Sequence, residues 1–143
     1  PTPVQMAAKV AYQNYETSLQ YLSKQTTILK QIGNYCSEKL NASKIQVNAP
    51  QGGFYLFPDF SMHQEKLHSK GIKTSNELCS FLLKDTGVVL LPASAFGFDQ
   101  SYLAARLAYV DFQNPIAPTF DLKKDCPNVI LGIDKICDWI SNL

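Results

Sequence analysis

The sequence predicts a two-layer α+β domain, and three observations support this prediction. Apolar residues recur at helical spacing near both ends of the chain, from about Tyr15 to Leu40 and again after Pro127. Short β-rich runs lie between these helices and are separated by turns that contain Pro and Gly. The chain has 143 residues, the size of one domain that can bury a core without disulfides. We therefore expect helices packed against a small sheet.

The first part of the chain predicts two helices. Thr2, Pro3 and Gln5 form the pattern of a capping box with proline at the first helical position. The second helical pattern, from about Tyr15 to Leu40, is longer than a domain of this size usually needs. Gly33 weakens this helix without having to break it. We expect the long helix to reach between two domains.

The middle of the chain predicts a hairpin and then a capped helix. Residues 44–47 and 54–57 are β-rich runs joined by a loop of Pro and Gly, a pattern typical of two antiparallel strands. Thr74 and Glu77 form a second capping box, and Gly87 fits the C-terminal stop of the helix that follows.

The last part predicts two strands and a terminal helix. Residues 88–91 form a short apolar strand that Pro92 closes, and residues 93–100 form a loop. Residues 103–110 alternate as a strand, and Pro127 fits the start of the terminal helix.

Composition excludes several classes of protein. With 13 basic and 12 acidic residues the net charge is +1, which excludes an electrostatic nucleic-acid binder. An aromatic content of 11% argues against disorder. We expect no membrane span and no signal peptide, because no apolar run is long enough. The scattered cysteines predict reduced thiols and a cytoplasmic protein; they are Cys36, Cys79, Cys126 and Cys137. The chain opens without Met, which suggests a domain-sized piece.

Arg106 is the most informative single residue. The other 12 basic residues are lysines, so Arg106 is the only arginine of the chain. Strand alternation places Ala104, Arg106 and Ala108 on one face, which leaves room beside the guanidinium. A planar guanidinium in such a recess suits a carboxylate or a phosphate. The alternative is an ion pair with an Asp or Glu of the same domain, and the pattern leaves both open.

Other candidate motifs are weaker. Gly52-Gly53 does not fit a phosphate cradle, because a strand follows it instead of a helix N-terminus. The apolar loop of residues 92–98 either covers a core edge or lines a pocket. His63 and His68 lack further ligands at metal spacing, so no metal site is predicted. No Gly-x-Ser-x-Gly nucleophile motif occurs.

Three segments resemble motifs of the class I and II pyridoxal-phosphate-dependent aminotransferases. Residues 50–55 read Pro-Gln-Gly-Gly-Phe-Tyr and resemble the family's Pro-x-Gly-Gly-Phe-Tyr. Residues 87–97 resemble its Gly-Val-…-Pro-Gly-Ser-x-Phe-Gly segment. Residues 106–109 read Arg-Leu-Ala-Tyr and resemble its Arg-Leu-x-Tyr strand. Each motif alone is weak, but the three occur in the family's order and together are specific.

The resemblance covers essentially the whole chain and implies a fold and a function. It makes residues 1–143 the C-terminal small domain of a fold-type I enzyme, with about residues 1–40 as the leading interdomain helical segment and the large cofactor-binding domain absent. It implies that Arg106 binds the α-carboxylate of an amino-acid or 2-oxo-acid substrate. It further implies amino-group transfer with pyridoxal phosphate, in an enzyme that is a homodimer when full length.

Two departures from the family pattern matter. The family's Pro-Gly-Ser is Pro92-Ala93-Ser94 here, which would shift the loop if that Gly needs an unusual dihedral. The family's cofactor Lys lies in a Ser-Lys-x-x-Gly-x-Arg motif upstream, and none of the Ser-Lys pairs here, at residues 23–24, 43–44 and 69–70, continues in that way. No residue of this chain is therefore assigned to catalysis, to the cofactor or to a metal. We expect the chain alone to be inactive and not to bind pyridoxal phosphate.

Two other functions stay open on the sequence. One is a stand-alone carboxylate-binding or interaction module derived from such a domain. The other is a lyase or synthase of the same fold type, which would share the carboxylate-binding Arg106. The coding sequence upstream of Pro1 separates the module from the enzyme, since the enzyme requires the lysine motif there. The substrate amino acid is not predicted.

Overall fold

A computed structural model describes residues 1–113 and 119–143. Helices dominate both ends of the chain, and three short strands lie between them. The elements are α1 (Thr2–Gln13), α2 (Tyr15–Ala42), β1 (Tyr55–Leu56), α3 (Gln64–Ser69), α4 (Ser75–Thr86), β2 (Leu91–Pro92), β3 (Ala105–Ala108), α5 (Leu122–Asp125) and α6 (Pro127–Ser141).

The three strands form one antiparallel sheet with β3 in the middle, in the order β1-β3-β2. Tyr55 of β1 pairs with Ala108, and Leu91 of β2 pairs with Arg106. β1 is distant from β3 in sequence, whereas β2 is the strand that directly precedes it. The sheet therefore brings three separate segments of the chain together around Arg106.

The core lies between one face of this sheet and the helices α2, α4 and α6. Ala105 and Leu107 of β3 point into it, as strand alternation predicts. The helices contribute buried apolar side chains, among them Ile32, Cys36, Leu40, Leu78, Leu82, Ile133, Ile136 and Ile140. A layer of helices thus covers one face of the sheet, which confirms the predicted two-layer α+β class.

The leading helices α1 and α2 confirm the two predicted helices, but the first begins differently. Pro1 is the N-cap of α1, and its carbonyl oxygen accepts hydrogen bonds from the backbone N–H groups of Val4 and Gln5. The Thr2 side chain makes no capping hydrogen bond, so the predicted capping box there is wrong. Thr2 already lies within the helix, where its hydroxyl cannot accept hydrogen bonds from the free N–H groups of the first turn. No residue from Thr2 to Thr27 is buried.

The predicted hairpin between residues 44–47 and 54–57 is wrong. The first run forms only a single bridge, between Gln46 and Asp59, and the second run pairs with β3. The loop between the runs is held from outside, because the Tyr109 hydroxyl donates to the Gly53 carbonyl oxygen at 3.2 Å. The backbone groups of β1 form their hydrogen bonds with β3, which lies far along the chain.

The capped helix α4 follows its prediction closely. The Thr74 hydroxyl accepts the backbone N–H of Glu77 at 3.2 Å, and the Glu77 carboxylate accepts the N–H of Thr74 at 3.0 Å. The backbone N–H of Lys73 also donates to this carboxylate, at 2.8 Å, and this hydrogen bond together with those from Thr74 lowers the pKa of Glu77. Gly87 ends the helix in the left-handed conformation, with φ of 75°. Both predicted ends of this helix are confirmed.

The remaining predictions are correct in type and wrong in extent. The strand predicted at residues 88–91 is Leu91–Pro92, so Pro92 belongs to the strand it was expected to close. The strand predicted at residues 103–110 is shortened to Ala105–Ala108. The loop after β2 contains a 3-10 turn, Ala93–Phe96, and α5 was not predicted. The terminal helix begins at Pro127 as predicted.

In the ranges that the structure describes, no helix combines the length and apolar character needed to cross a bilayer. All four cysteines are free thiols, three of them buried.

Candidate functional site

Arg106 lies at the centre of the sheet face that the helices leave open. Its neighbours Ala105 and Leu107 point into the core, so alternation directs the Arg106 side chain to the opposite face. Leu91, its partner on β2, and Ala108, two residues further along β3, share that face. The side chain of Arg106 is half-buried. Arg106 thus has the apolar residues Leu91 and Ala108 as neighbours on this face.

Two aromatic rings flank the guanidinium. Its carbon Cζ lies 4.3 Å from the centroid of the Tyr55 ring and 4.9 Å from that of Phe96. The small neighbours on β3 do leave space, as the alternation predicted, but rings from β1 and from the loop after β2 occupy it. The recess expected beside Arg106 is therefore an aromatic clamp, a name we use for Tyr55 and Phe96. Cation–π contact with such rings is favourable.

No acidic side chain neutralises Arg106 in the described part of the chain. Within residues 1–113 and 119–143, the guanidinium makes no hydrogen bond or ion pair, and the groups shown in contact with it are the two rings. An ion pair that is present joins Lys39 Nζ to Asp134 Oδ1 at 3.8 Å, on the helical side of the domain. The alternative that Arg106 forms an ion pair with an Asp or Glu of its own domain therefore finds no support among these residues.

Further rings support each side of the aromatic clamp. The Phe54 ring centroid lies 4.3 Å from that of Tyr55. On the other side, Phe57 meets Phe96 edge-on, at 6.0 Å between centroids and 78° between ring planes. Such tilted and edge-to-face pairs are favourable ring arrangements. Neither ring of the clamp depends on its contact with Arg106 alone.

The row of rings continues from Phe57 to the half-buried pair of Tyr102 and Asp59. Phe98 lies 5.3 Å from Phe57 and 5.5 Å from Tyr102, measured between centroids. The Tyr102 hydroxyl donates to Asp59 Oδ2 at 3.1 Å, and desolvation, with this hydrogen bond, raises the pKa of Tyr102. Asp59 Oδ1 in turn accepts the backbone N–H of Ser61 at 2.8 Å. The aromatic surface is thus tied to the backbone at its far end.

The loop that carries Phe96 is held where it leaves β2. The N–H of Ala93 donates to the carbonyl oxygen of Ala104 at 2.9 Å, and the N–H of Ser94 to the buried Ser75 hydroxyl at 3.3 Å. Gly97 ends the turn with φ of 83°, a conformation that favours glycine. Ala93 is buried and has a negative φ, so alanine in place of the family's glycine causes no strain here. This loop both seals the core and lines the open face.

The other candidate groups lie elsewhere. His63 Nε2 lies 2.9 Å from the Ser43 carbonyl oxygen and ties two segments of backbone together. Among the residues that the structure describes, no group of three His, Cys, Asp or Glu side chains is arranged to hold a metal. All twelve lysines lie in the described ranges, and every one is exposed.

Sequence reasoning placed Arg106 correctly on its strand and missed the aromatic clamp. The predicted hairpin pairs the strand of Tyr55 with residues 44–47, whereas the structure places Tyr55 opposite Ala108. The sequence predicts a loop at Phe96 but not its contact with Arg106. A sequence signal for both rings does exist, because Tyr55 and Phe96 belong to the segments that carry the family resemblance.

Comparisons with known proteins agree with this architecture. The family model described as "Aminotransferase class I and II" matches residues 1–110. The aspartate aminotransferase of Sulfolobus acidocaldarius is 31% identical over 114 residues, which are 80% of this chain and 28% of that protein. The aspartate aminotransferase of Pinus pinaster is 35% identical over 81 residues, 54% of this chain and 16% of that protein. The family match covers most of the chain, so this chain belongs to the class I and II aminotransferases.

Solved structures share the fold at low sequence identity. A Thermotoga maritima aspartate aminotransferase aligns with a TM-score of 0.56 and 21% identity, over 80% of this chain and 24% of that one. An aminotransferase from Mycobacterium tuberculosis aligns with a TM-score of 0.59 and 19% identity, over 90% of this chain and 27% of that one. The chain therefore spans about a quarter of the length of these structures.

Proposed function

We propose that this chain is the C-terminal small domain of a pyridoxal-phosphate-dependent aminotransferase, in which Arg106 binds the α-carboxylate of the substrate. The observation that carries the proposal is an arginine on an open apolar face with no acidic partner among the described residues. The enzyme would move an amino group between an amino acid and a 2-oxo acid. Family membership supports the reaction class.

The chemistry of the guanidinium favours a carboxylate ligand. Its planar fork of N–H donors matches the two oxygens of a carboxylate, and such bidentate pairs are strong. Both flanking groups are aromatic rings, which contact the guanidinium without accepting its N–H bonds as a carboxylate would. Partial burial removes Arg106 from some of its water, which strengthens the attraction for an anion.

The lysines of this chain do not fit the residue that would hold the cofactor. A lysine that forms a Schiff base is activated by desolvation or by a neighbouring cation. All twelve lysines are exposed, so none is desolvated in this domain. Pyridoxal phosphate, which acts as an electron sink when bound, would therefore be held by the large domain. Residues of this chain would bind and orient the substrate.

The leading helices support the proposed division into domains. From Thr2 to Thr27 no side chain is buried, although this segment carries large apolar residues. The exposed ones are Val4, Met6, Val10, Tyr12, Tyr15, Leu19, Tyr21 and Leu22. We assign about residues 1–40 to the interdomain segment and interpret these side chains as its contacts with the large domain. Closure of the two domains would then bring Arg106 to the substrate and exclude water. A homodimer stays an expectation from the family resemblance.

Replacement of Arg106 in the polypeptide that also contains the large domain tests this proposal. We expect Arg106→Ala to lower kcat/KM for the amino acid by at least about 100-fold, because hydrogen bonds to a charged group are lost in both ground and transition states. Arg106→Lys keeps the charge but not the fork and should recover only part of that loss. Kinetics unchanged in both variants would contradict the proposal.

A further inference from the structure

We infer that Tyr55 and Phe96 are positioning residues that hold the Arg106 guanidinium ready for a carboxylate before the substrate arrives. This inference rests on the proposed role of Arg106. Its geometric basis is the pair of distances from Cζ to the two ring centroids, 4.3 Å and 4.9 Å. The two rings come from different parts of the fold, β1 and the loop after β2, and together they restrict the side chain between them.

An arginine without such contacts would be disordered in this position. Its side chain has many rotamers, and ordering it during substrate binding would weaken the affinity. A half-buried arginine can be ordered by a carboxylate of its own protein. Arg106 has none among residues 1–113 and 119–143, so the rings are the groups available to order it.

Rings suit this task better than an acid would. A guanidinium over an aromatic face keeps its N–H groups available, whereas an internal carboxylate would occupy the groups that the substrate requires. Tyr55 and Phe96 therefore restrain the side chain without competing for the ligand. This is the physical reason for aromatic residues at both positions.

The rings are themselves restrained, and the core does not require them. Phe54 packs on Tyr55, and Phe57 packs edge-on against Phe96. Yet Tyr55 is 44% exposed and Phe96 40% exposed, so neither fills the interior of the domain. Large rings that stay exposed while being fixed by neighbours are explained by their contact with Arg106.

The single arginine of the chain allows a direct test. Labelling with 15N-arginine gives one Nε–Hε signal, that of Arg106. We expect its order parameter in the folded wild-type chain to lie near the value of about 0.85 found for rigid backbone. In Tyr55→Leu and in Phe96→Leu we expect it to fall below about 0.6, the range of flexible groups.

Two matched variants separate positioning from general stability. Tyr55→Phe keeps the ring and should keep the order parameter of the wild type. Phe98→Leu removes a ring that is 50% exposed on the same surface, but Phe98 contacts Phe57 and Tyr102 and not Arg106. It should leave the Nε signal ordered. Backbone spectra report whether each variant is folded.

The inference is overturned if Arg106 Nε is flexible in the folded wild-type chain, which decides the matter even if a leucine variant fails to fold. It is equally overturned if both leucine variants stay as ordered as the wild type.

In the polypeptide with the large domain, Tyr55→Leu should raise the KM of the amino acid about two- to fivefold and change kcat less. If Arg106→Ala changes neither constant while the order parameters behave as expected, the proposed function fails and the positioning stands.

Discussion

Gly33 of α2 lies directly against Tyr109, the residue that follows β3. A Cβ atom built on Gly33 would fall 2.9 Å from the Tyr109 hydroxyl oxygen and 2.5 Å from Cγ of Pro50. The same hydroxyl donates to the Gly53 carbonyl oxygen at 3.2 Å. The missing side chain therefore lets the long helix, the loop before β1 and the strand of Arg106 meet. The sequence alone indicated only that Gly33 weakens the helix.

Gly33→Ala should destabilise the domain. Alanine favours a helix over glycine by about 1 kcal/mol, but contacts under 3.0 Å with a ring and a proline require the loop or the strand to move. Overpacking of this kind typically costs about 1–3 kcal/mol. We expect a net fall in the free energy of unfolding, measured by urea denaturation and followed by circular dichroism.

Gly132→Ala is the matched control and should act in the opposite direction. Gly132 lies inside α6, and the nearest atom to its added Cβ is Val88 Cγ2, at 4.0 Å. With no clash, the gain in helix propensity remains, and the free energy of unfolding should rise by about 0.5–1 kcal/mol. If both alanine variants are equally stabilised, the close approach at Gly33 is not a feature of the protein.

Thr74→Ala and Thr2→Ala should differ, although the sequence has a capping-box pattern at both places. Thr74 accepts a hydrogen bond from the N–H of Glu77, and its loss should reduce stability by about 1 kcal/mol. Thr2 caps nothing and is exposed, so its replacement should change stability by less than about 0.5 kcal/mol. Thermal unfolding of the two variants measures the difference. Equal losses of stability would indicate that Thr2 caps its helix as the sequence pattern predicts.

Stability should fall above pH 9 because of buried thiols. Burial raises the pKa of Cys36 to about 12 and those of Cys79 and Cys126 to about 11, against an ordinary value of 9.0. Above pH 9 the unfolded chain loses these protons while the folded chain retains them, so rising pH favours unfolding. Each thiol contributes up to about 1.4 kcal/mol per pH unit in that interval.

Urea unfolding at pH 8, 9 and 10 measures this effect. In Cys36→Ala the loss of stability with pH should be shallower than in the wild type, whatever the variant's stability at pH 8. An identical slope in the two proteins would show that Cys36 ionises normally in the folded state.

Local signals predicted the elements whose contacts are close in sequence. The cap formed by Thr74 and Glu77 and the start of the last helix at Pro127 depend on neighbours within one turn, and both are confirmed. The hairpin failed because β1 finds its partner in β3, far along the chain. No periodicity in the sequence encodes that choice.

The candidate site likewise combines a local feature that the sequence predicts with tertiary contacts that it does not. Strand alternation gave the face of Arg106 correctly, because it is a property of one strand. The positions of Tyr55 and Phe96 depend on the pairing of β1 with β3 and on the turn after β2, which tertiary structure decides. The role of Arg106 toward a substrate stays a prediction.

The central claim is that Arg106 recognises the α-carboxylate, and substrate comparison tests it most directly. In the polypeptide that also contains the large domain, kcat/KM is measured for an amino acid and for its α-amide, in the wild type and in Arg106→Ala. The amide cannot form the ionic pair, so we expect the wild type to prefer the acid by at least about 100-fold. In Arg106→Ala this preference should collapse to within about tenfold. A preference for the acid that survives intact without Arg106 would contradict the account.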